Sequence, residues 1–427
     1  MFTGMLLTAW ILIGQPAETA NDQLKQEVDR LVHQLDSPQL AQRNAAEAAL
    51  IQKGAAVLDL LPADDQRLSA EVQERLKRIR QKLQQLAVAS ALKPALITLS
   101  GENLPLSKIL AALEEQSSNK IVDYRQQFGQ PTTDPPLKVN FDNTPFWQAL
   151  DQVLDQAEMR VYHYADQPGL NLVGRPESEW GLHHPQNAVY SGPFRFEPIR
   201  LVVQNDLRDP KASSLRLSVE AAWEPRLKPI CLLYRPADAQ AVDDRGQPLV
   251  VHSANAEMEV PVENLKSAVE LTLLFALPPR EVKEIARVKG KLTAVIAGKI
   301  EEFRFGDLLN SKNVEKRTAG VTVTLERARQ DDNAWKVFVR VRFDTPGDAL
   351  ASHRGWIFLN EAYLEAPDGK HIAFDALETT RQTKNEVGLT YSFLLDKPPT
   401  DMKFVYKTPG AILTTAIEYE FHNLKLP

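Results

Sequence analysis

After Ser191 the chain stops repeating at the period of a helix and alternates at the period of a strand, and it does so twice. Phe194-Arg-Phe196, Leu215-Arg-Leu217-Ser-Val219, Val269-Glu-Leu271-Thr-Leu273 and Leu292-Thr-Ala-Val295 place apolar residues on one face, and Phe303 and Phe305 close the first copy. The second copy opens with Val321-Thr-Val323-Thr-Leu325, which parallels the first opening strand. Val337 to Phe343 parallels Leu215 to Ala222, and Trp356-Ile-Phe358 parallels Ile230 to Leu233. The Gly246 turn matches the Gly369 turn, and the double prolines Pro278-Pro279 and Pro398-Pro399 lie 120 residues apart. Two helix-free copies of short strands predict two tandem antiparallel β-sandwiches of Ig-like type, residues 190–308 and 318–427, joined by a polar linker at Asn310 to Arg317.

The 427 residues leave room for further domains ahead of this half, since domains average roughly 150 residues. Hydrophobic residues at 43% and charged residues at 25% exclude a mostly disordered chain, a collagen and a multi-span membrane protein. Lys plus Arg number 50 against 56 Asp plus Glu, and a net charge of −6 gives no footprint for nucleic acid. The lone cysteine, Cys231, can form neither an intramolecular disulfide nor a zinc site by itself.

Met5 to Gly14 is an uncharged apolar run followed by Pro16 and small residues, so residues 1–20 read as a signal peptide. The pattern is atypical: no basic residue precedes the run, and Glu18 stands near the expected cut. The alternative is a buried or frayed helical turn. Ten residues are too few to span a bilayer, and no later run reaches about 18. The expected location is therefore periplasmic or secreted, with no transmembrane span in the mature chain.

Residues 21–92 are helical in pattern. Leu24, Val28, Leu31, Val32 and Leu35 form one face. Ser37-Pro38 reads as an N-cap and first position of a second helix, which Gly54 ends. Leu68, Val72, Leu76, Ile79, Leu83 and Leu86 mark a third helix from about Asp65 to Ala91. The stretch DSPQLAQRNAAEAALIQKGAAVLDLL resembles a single HEAT-type hairpin. One hairpin falls short of the three or so units a repeat array needs, which implies a cap or a dimerising arm.

Residues 95–175 phrase one motif twice: strand, turn, proline, helix. ITLSGENLPLSKILAALEEQ is answered by LKVNFDNTPFWQALDQVLDQAEMRVY, with Pro105 and Pro145 each expected at helix position one. The order β-α-β then β-α-β-β resembles the short N-terminal domain of secretins and TonB-dependent receptors. That resemblance implies a docking module without chemistry of its own. No outer-membrane barrel pattern follows it. Tyr162 and Tyr164 are read either as a ligand platform or as paired core aromatics, and Gln126 to Pro136 as a Pro-rich loop. The phrases AAWEPRLKP and SHRGWIFLNEAYLEAPDGK resemble a bacterial family of uncharacterised secreted proteins, which carries no activity over.

No HExxH, GxSxG, Walker or dinucleotide motif is present, so no catalytic residue, metal ligand set or cofactor is expected. His183-His184 lacks a visible third donor. Asp206 with Asp209, Asp243-Asp244 and Asp331-Asp332 read as turn formers in preference to a weak calcium site. Cys231 reads as a buried thiol. Trp223 with Arg226, and Trp356 with Arg354, pair an aromatic with a cation and are the candidate binding residues for a sugar or a partner loop. Their alternative is to plug the cores. The expected function is a non-enzymatic exported adaptor of the bacterial envelope that binds a protein or glycan. A self-associating structural protein, a homo-oligomer through the N-terminal helices, and a carboxylate-dependent hydrolase of envelope polymer are the alternatives.

Overall fold

The computed structural model describes residues 17–62, 68–165, 167–179, 181, 188–252, 257–262, 266–331, 333–343, 355–383 and 385–427. The chain is mixed α+β and mostly β. It divides into two compact units, residues 1–87 and 88–427. Most of the apolar run expected to be a signal peptide lies outside the described residues; Ala17 to Ala20 open the first helix.

In the first unit, α1 (Ala17–Gln34) and α2 (Leu40–Gln52) pack with α3 (Ala70–Ala91). Val28, Leu31 and Leu35 from α1, Ala46 and Leu50 from α2, and Val72, Leu76, Ile79 and Leu83 from α3 fill one core. These are the residues at helical spacing. Ser37 acts before the helix and not as its cap: its Oγ accepts from the Gln39 N–H, and α2 starts at Leu40. Gly54, at φ 75°, ends the hairpin's second helix in the left-handed region.

The second unit begins with a small pseudo-symmetric module. In chain order it contains β1 (Leu96–Pro105), α4 (Leu106–Ser117), β2 (Ile121–Asp123), β3 (Pro136–Pro145), α5 (Phe146–Gln156), β4 (Met159–Tyr162) and β5 (Leu170–Gly174). β1 and β3 pair antiparallel with matching irregularities, and Asn103 and Asn143 both take positive φ two residues before proline. Both prolines precede their helices and do not open them: Pro105 and Pro145 are the extended residues before Leu106 and Phe146. The first helical N–H groups are then satisfied across the pseudo-twofold, Leu106 N–H by Pro135 O at 3.1 Å and Phe146 N–H by Ala95 O at 2.8 Å. β2, β5 and β4 form a second sheet.

The β body is built from three sheets. The first is β6 (Val189–Ser191), β7 (Phe194–Gln204), β8 (Ser214–Trp223) and β12 (Ala268–Ala276). The second takes β9 (Pro229–Tyr234), β10 (Gln240–Asp243), β11 (Met258–Pro261), β13 (Glu284–Phe305), β17 (Ala362–Glu365), β18 (His371–Ala373) and β21 (Lys403–Lys425). The third comprises β14 (Val314–Thr318), β15 (Val321–Asp331), β16 (Ala334–Phe343), β19 (Ala376–Gln382) and β20 (Glu386–Phe393). The duplication is visible in the pairing, since β9 lies against β13 as β17 lies against β21. The counterpart of β9 in the second copy is therefore β17; Trp356–Leu359, expected to be its equivalent, is a turn of 3-10 helix.

The two copies are not self-contained, as tandem sandwiches would be. β13 and β21 pair antiparallel in one unbroken register from Glu284↔Lys425 to Phe305↔Phe404. Ile285, Val288, Leu292, Ala294 and Ile296 of β13 fill the core under the first sheet, and Phe303 and Phe305 cross into the core under the third. β21 does the reverse: Phe404 and Tyr406 serve their own copy, while Ile417, Tyr419 and Phe421 fill the core of the other. In β9, Leu232 and Tyr234 belong to one core and Cys231 and Leu233 to the other, so the second sheet is buried on both faces. Alternation in sequence tells which residues turn inward; it does not tell which core receives them.

Candidate functional site

Arg160, Tyr162 and Tyr164 alternate with Met159, Val161 and His163 along β4 and just beyond it. Met159 and Val161 pack into the small module's core, and His163 meets Glu220 of β8 at 3.3 Å. That alternation leaves Tyr162 and Tyr164 on the outward face. Alongside, the chain leaves β2 at Asp123 and makes a 3-10 turn over Arg125–Phe128. Arg125 is buried and grips Asp123 with two side-chain bonds of 2.9 and 2.6 Å. Those bonds hold the Asp123 carboxyl below the ordinary carboxylate range, against the opposing effect of partial burial. Gly129 turns at φ 65°, and the Gln130 side chain clamps both backbone groups of Gly174. The turn is thus fixed from both ends.

The result is a shelf of four rings. Tyr124 stacks on Tyr162 with centroids 6.2 Å apart and planes at 16°. Phe128 and Tyr164 each meet Tyr162 edge-on, at 4.8 and 5.7 Å. Lys266 Nζ lies 5.8 Å from the Tyr164 ring centroid. Phe128 is 48% exposed and Tyr164 75%, more than any other aromatic ring among the described residues. Tyr162 and Tyr164 therefore stand in a surface ring cluster and not in a core pair, together with Tyr124 and Phe128, which the sequence pattern did not single out.

The shelf is held to the β body by a buried charged seam. Arg195 of β7 pairs with Asp151 of α5 at 2.8 Å, with Glu197 at 2.6 Å and with Glu220 at 3.4 Å. The Tyr190 hydroxyl donates to Asp151 at 2.7 Å, and the Trp147 indole N–H to Pro193 O at 3.1 Å. Burial pushes the Glu220 carboxyl up, but the His163 hydrogen bond and the nearby His163 and Arg195 charges more than reverse it, leaving it lowered. Burial and the adjacent Asp151 carboxylate push the Tyr190 phenol up, so it stays protonated.

The residues expected to bind a ligand lie elsewhere. Trp223 is 1% exposed and Trp356 3%, their rings set against Phe194 and Phe343. Neither indole has a face to offer; each plugs a core. Arg226 is a clamp. With the fully buried Glu224 it ties the strand entering β1 to the body: Glu224 accepts from Ala95 N–H at 3.0 Å, Asn119 Nδ2 at 3.1 Å and Arg226 Nε at 2.6 Å. Arg226 also donates to Lys93 O. Arg354, His183, His184 and Asp332 lie outside the described residues. Asp206 and Asp243 each accept two backbone N–H bonds within their own turns. Among the described residues no cluster of three or more His, Cys, Asp or Glu could hold a metal ion, and no helix is long and apolar enough to cross a membrane. No protein-family model, curated protein or solved structure matches the chain.

Proposed function

We propose that this protein is an exported, non-enzymatic adaptor of the bacterial cell envelope, and that it grips envelope glycan on the Tyr124–Phe128–Tyr162–Tyr164 shelf. The observation that carries the reading is the exposure of two rings on a rigidly supported aromatic cluster. Buried rings stabilise a fold, whereas rings left in water on a fixed turn and strand await a partner. A sugar offers such rings its apolar C–H face and leaves its hydroxyls to water and to the phenol oxygens. Rings open to solvent suit the repeating units of a polymer better than a small enclosed substrate. The signal-like N-terminus and the likeness to a docking module support the envelope as its place of work. The Glu220, Asp123 and Asp134 carboxyls are lowered, the opposite of the shift that a general acid for glycoside cleavage needs.

The test is binding of soluble peptidoglycan fragments, measured by calorimetry. Tyr164→Ala and Phe128→Ala should each weaken binding about tenfold, near 1.4 kcal/mol, with the unfolding midpoint unchanged in Tyr164→Ala, whose ring is already largely solvated. Unaltered affinity in both variants would refute the assignment.

A further inference from the structure

We propose that two copies of this protein pair antiparallel through the vacant edge of β7, a surface separate from the aromatic shelf and independent of its reading. β6 covers β7 only at Phe194, Arg195 and Phe196. From Glu197 to Gln204 the other side of β7 is held by β8, and among the described residues no strand pairs with the outer edge. Alternate residues of this stretch therefore aim both backbone N–H and C=O away from the sheet, which only another extended strand satisfies in a regular way. Natural edges are commonly protected by charge. Here Arg200 is the one charged residue between Ile199 and Gln204, and Ile199, Val202 and Val203 are exposed at 43, 40 and 40%.

The occupant is argued from self-complementarity. The extra residue at the β7 bulge, between Pro198 and Arg200, resets the alternation, so that Leu201 packs against the core while Val203, two residues on, stays 40% exposed. A twofold axis through Val202 sets Val202 against Val202, Leu201 against Val203, and Arg200 against Gln204. Apolar residues meet apolar ones, polar meet polar, and the two arginines stay apart. The incoming Leu201 covers the exposed Val203 side chain. β6 lies at the opposite end in each copy, so the two do not collide. The pairing is isologous and closes on itself, as a stable dimer requires.

The test is sedimentation of the full chain from about 1 μM to about 1 mM, the range of a small interface. The wild-type protein should double in mass across this range. Val202→Lys and Val202→Asp should each remain monomeric, because like charges then face each other at the axis. Mixing the two variants should restore the dimer by pairing Lys with Asp, which a misfolded variant could not do. A wild-type monomer throughout, a dimer that persists in either variant, or a mixture that stays monomeric would overturn the proposal.

Discussion

Tyr419 lies in the last strand of the chain, yet its ring fills the core of the first β copy, and replacing it with alanine asks whether the two copies are interlocked. The side chain is 5% exposed, stacks on Phe196 at 4.6 Å and 24°, and adjoins Phe421 at 5.3 Å. Its cross-strand partner is Gly290, where a Cβ would stand 2.2 Å from the Tyr419 Cζ, so the ring occupies the space that the glycine leaves. Deleting a buried aromatic to alanine costs about 3–5 kcal/mol in lost transfer energy and cavity. Amide exchange reads where that loss falls. Protection in β7, β8 and β12 should drop by about a hundredfold or more, at 1.4 kcal/mol per decade. The reciprocal change, Gly290→Ala, should cost about 1–3 kcal/mol by overpacking, and less when Tyr419 is shortened to valine at the same time. If Tyr419→Ala left β7, β8 and β12 fully protected and loosened only β15, β16 and β20, the exchanged-strand architecture would be wrong.

Arg226→Ala should cost about 3–5 kcal/mol in urea unfolding, because Glu224 would remain wholly buried without its cation; a loss below about 1 kcal/mol would contradict the clamp. Glu220 and Asp123 have carboxyls lowered in the folded state, so their contribution is present above the unfolded value near 4.3 and 3.9 and is lost as pH falls through the folded values. The urea midpoint should therefore fall progressively below about pH 4.5. In His163→Ala the hydrogen bond that lowers Glu220 is gone, its folded and unfolded values draw together, and the acid decline should become shallower; an unchanged pH profile would remove His163 from this role.

Much of the fold was written in local pattern. The spacing of Val28, Leu31 and Leu35 marked a buried helical face, and Leu215, Leu217 and Val219 a buried strand face, because a period of 3.6 or 2 is fixed by backbone geometry alone. The exchange of β13 and β21 between cores was not written there. Tyr419 reads as inward whichever core takes it, and its partner Gly290 lies over a hundred residues away. The two tryptophans expected to stack on a ligand are buried for a related reason. Trp223 beside Arg226 has the composition of a stacking site, but the indole falls on the inward parity of β8. Of the shelf, Tyr162 and Tyr164 were visible as alternating residues on one strand. Tyr124 and Phe128 come from a turn roughly 35 to 40 residues earlier, and their one local sign is a spacing of four across a tight turn.

The most direct test of the adaptor account is to label the tyrosines selectively and titrate the protein with soluble peptidoglycan fragments while following the ring resonances. Tyr162 and Tyr164 should shift saturably together, Tyr124 to a smaller extent, and the core rings Tyr391 and Tyr406 should stay in place. Shifts confined to other tyrosines, or no shift at all at saturating glycan, would contradict it.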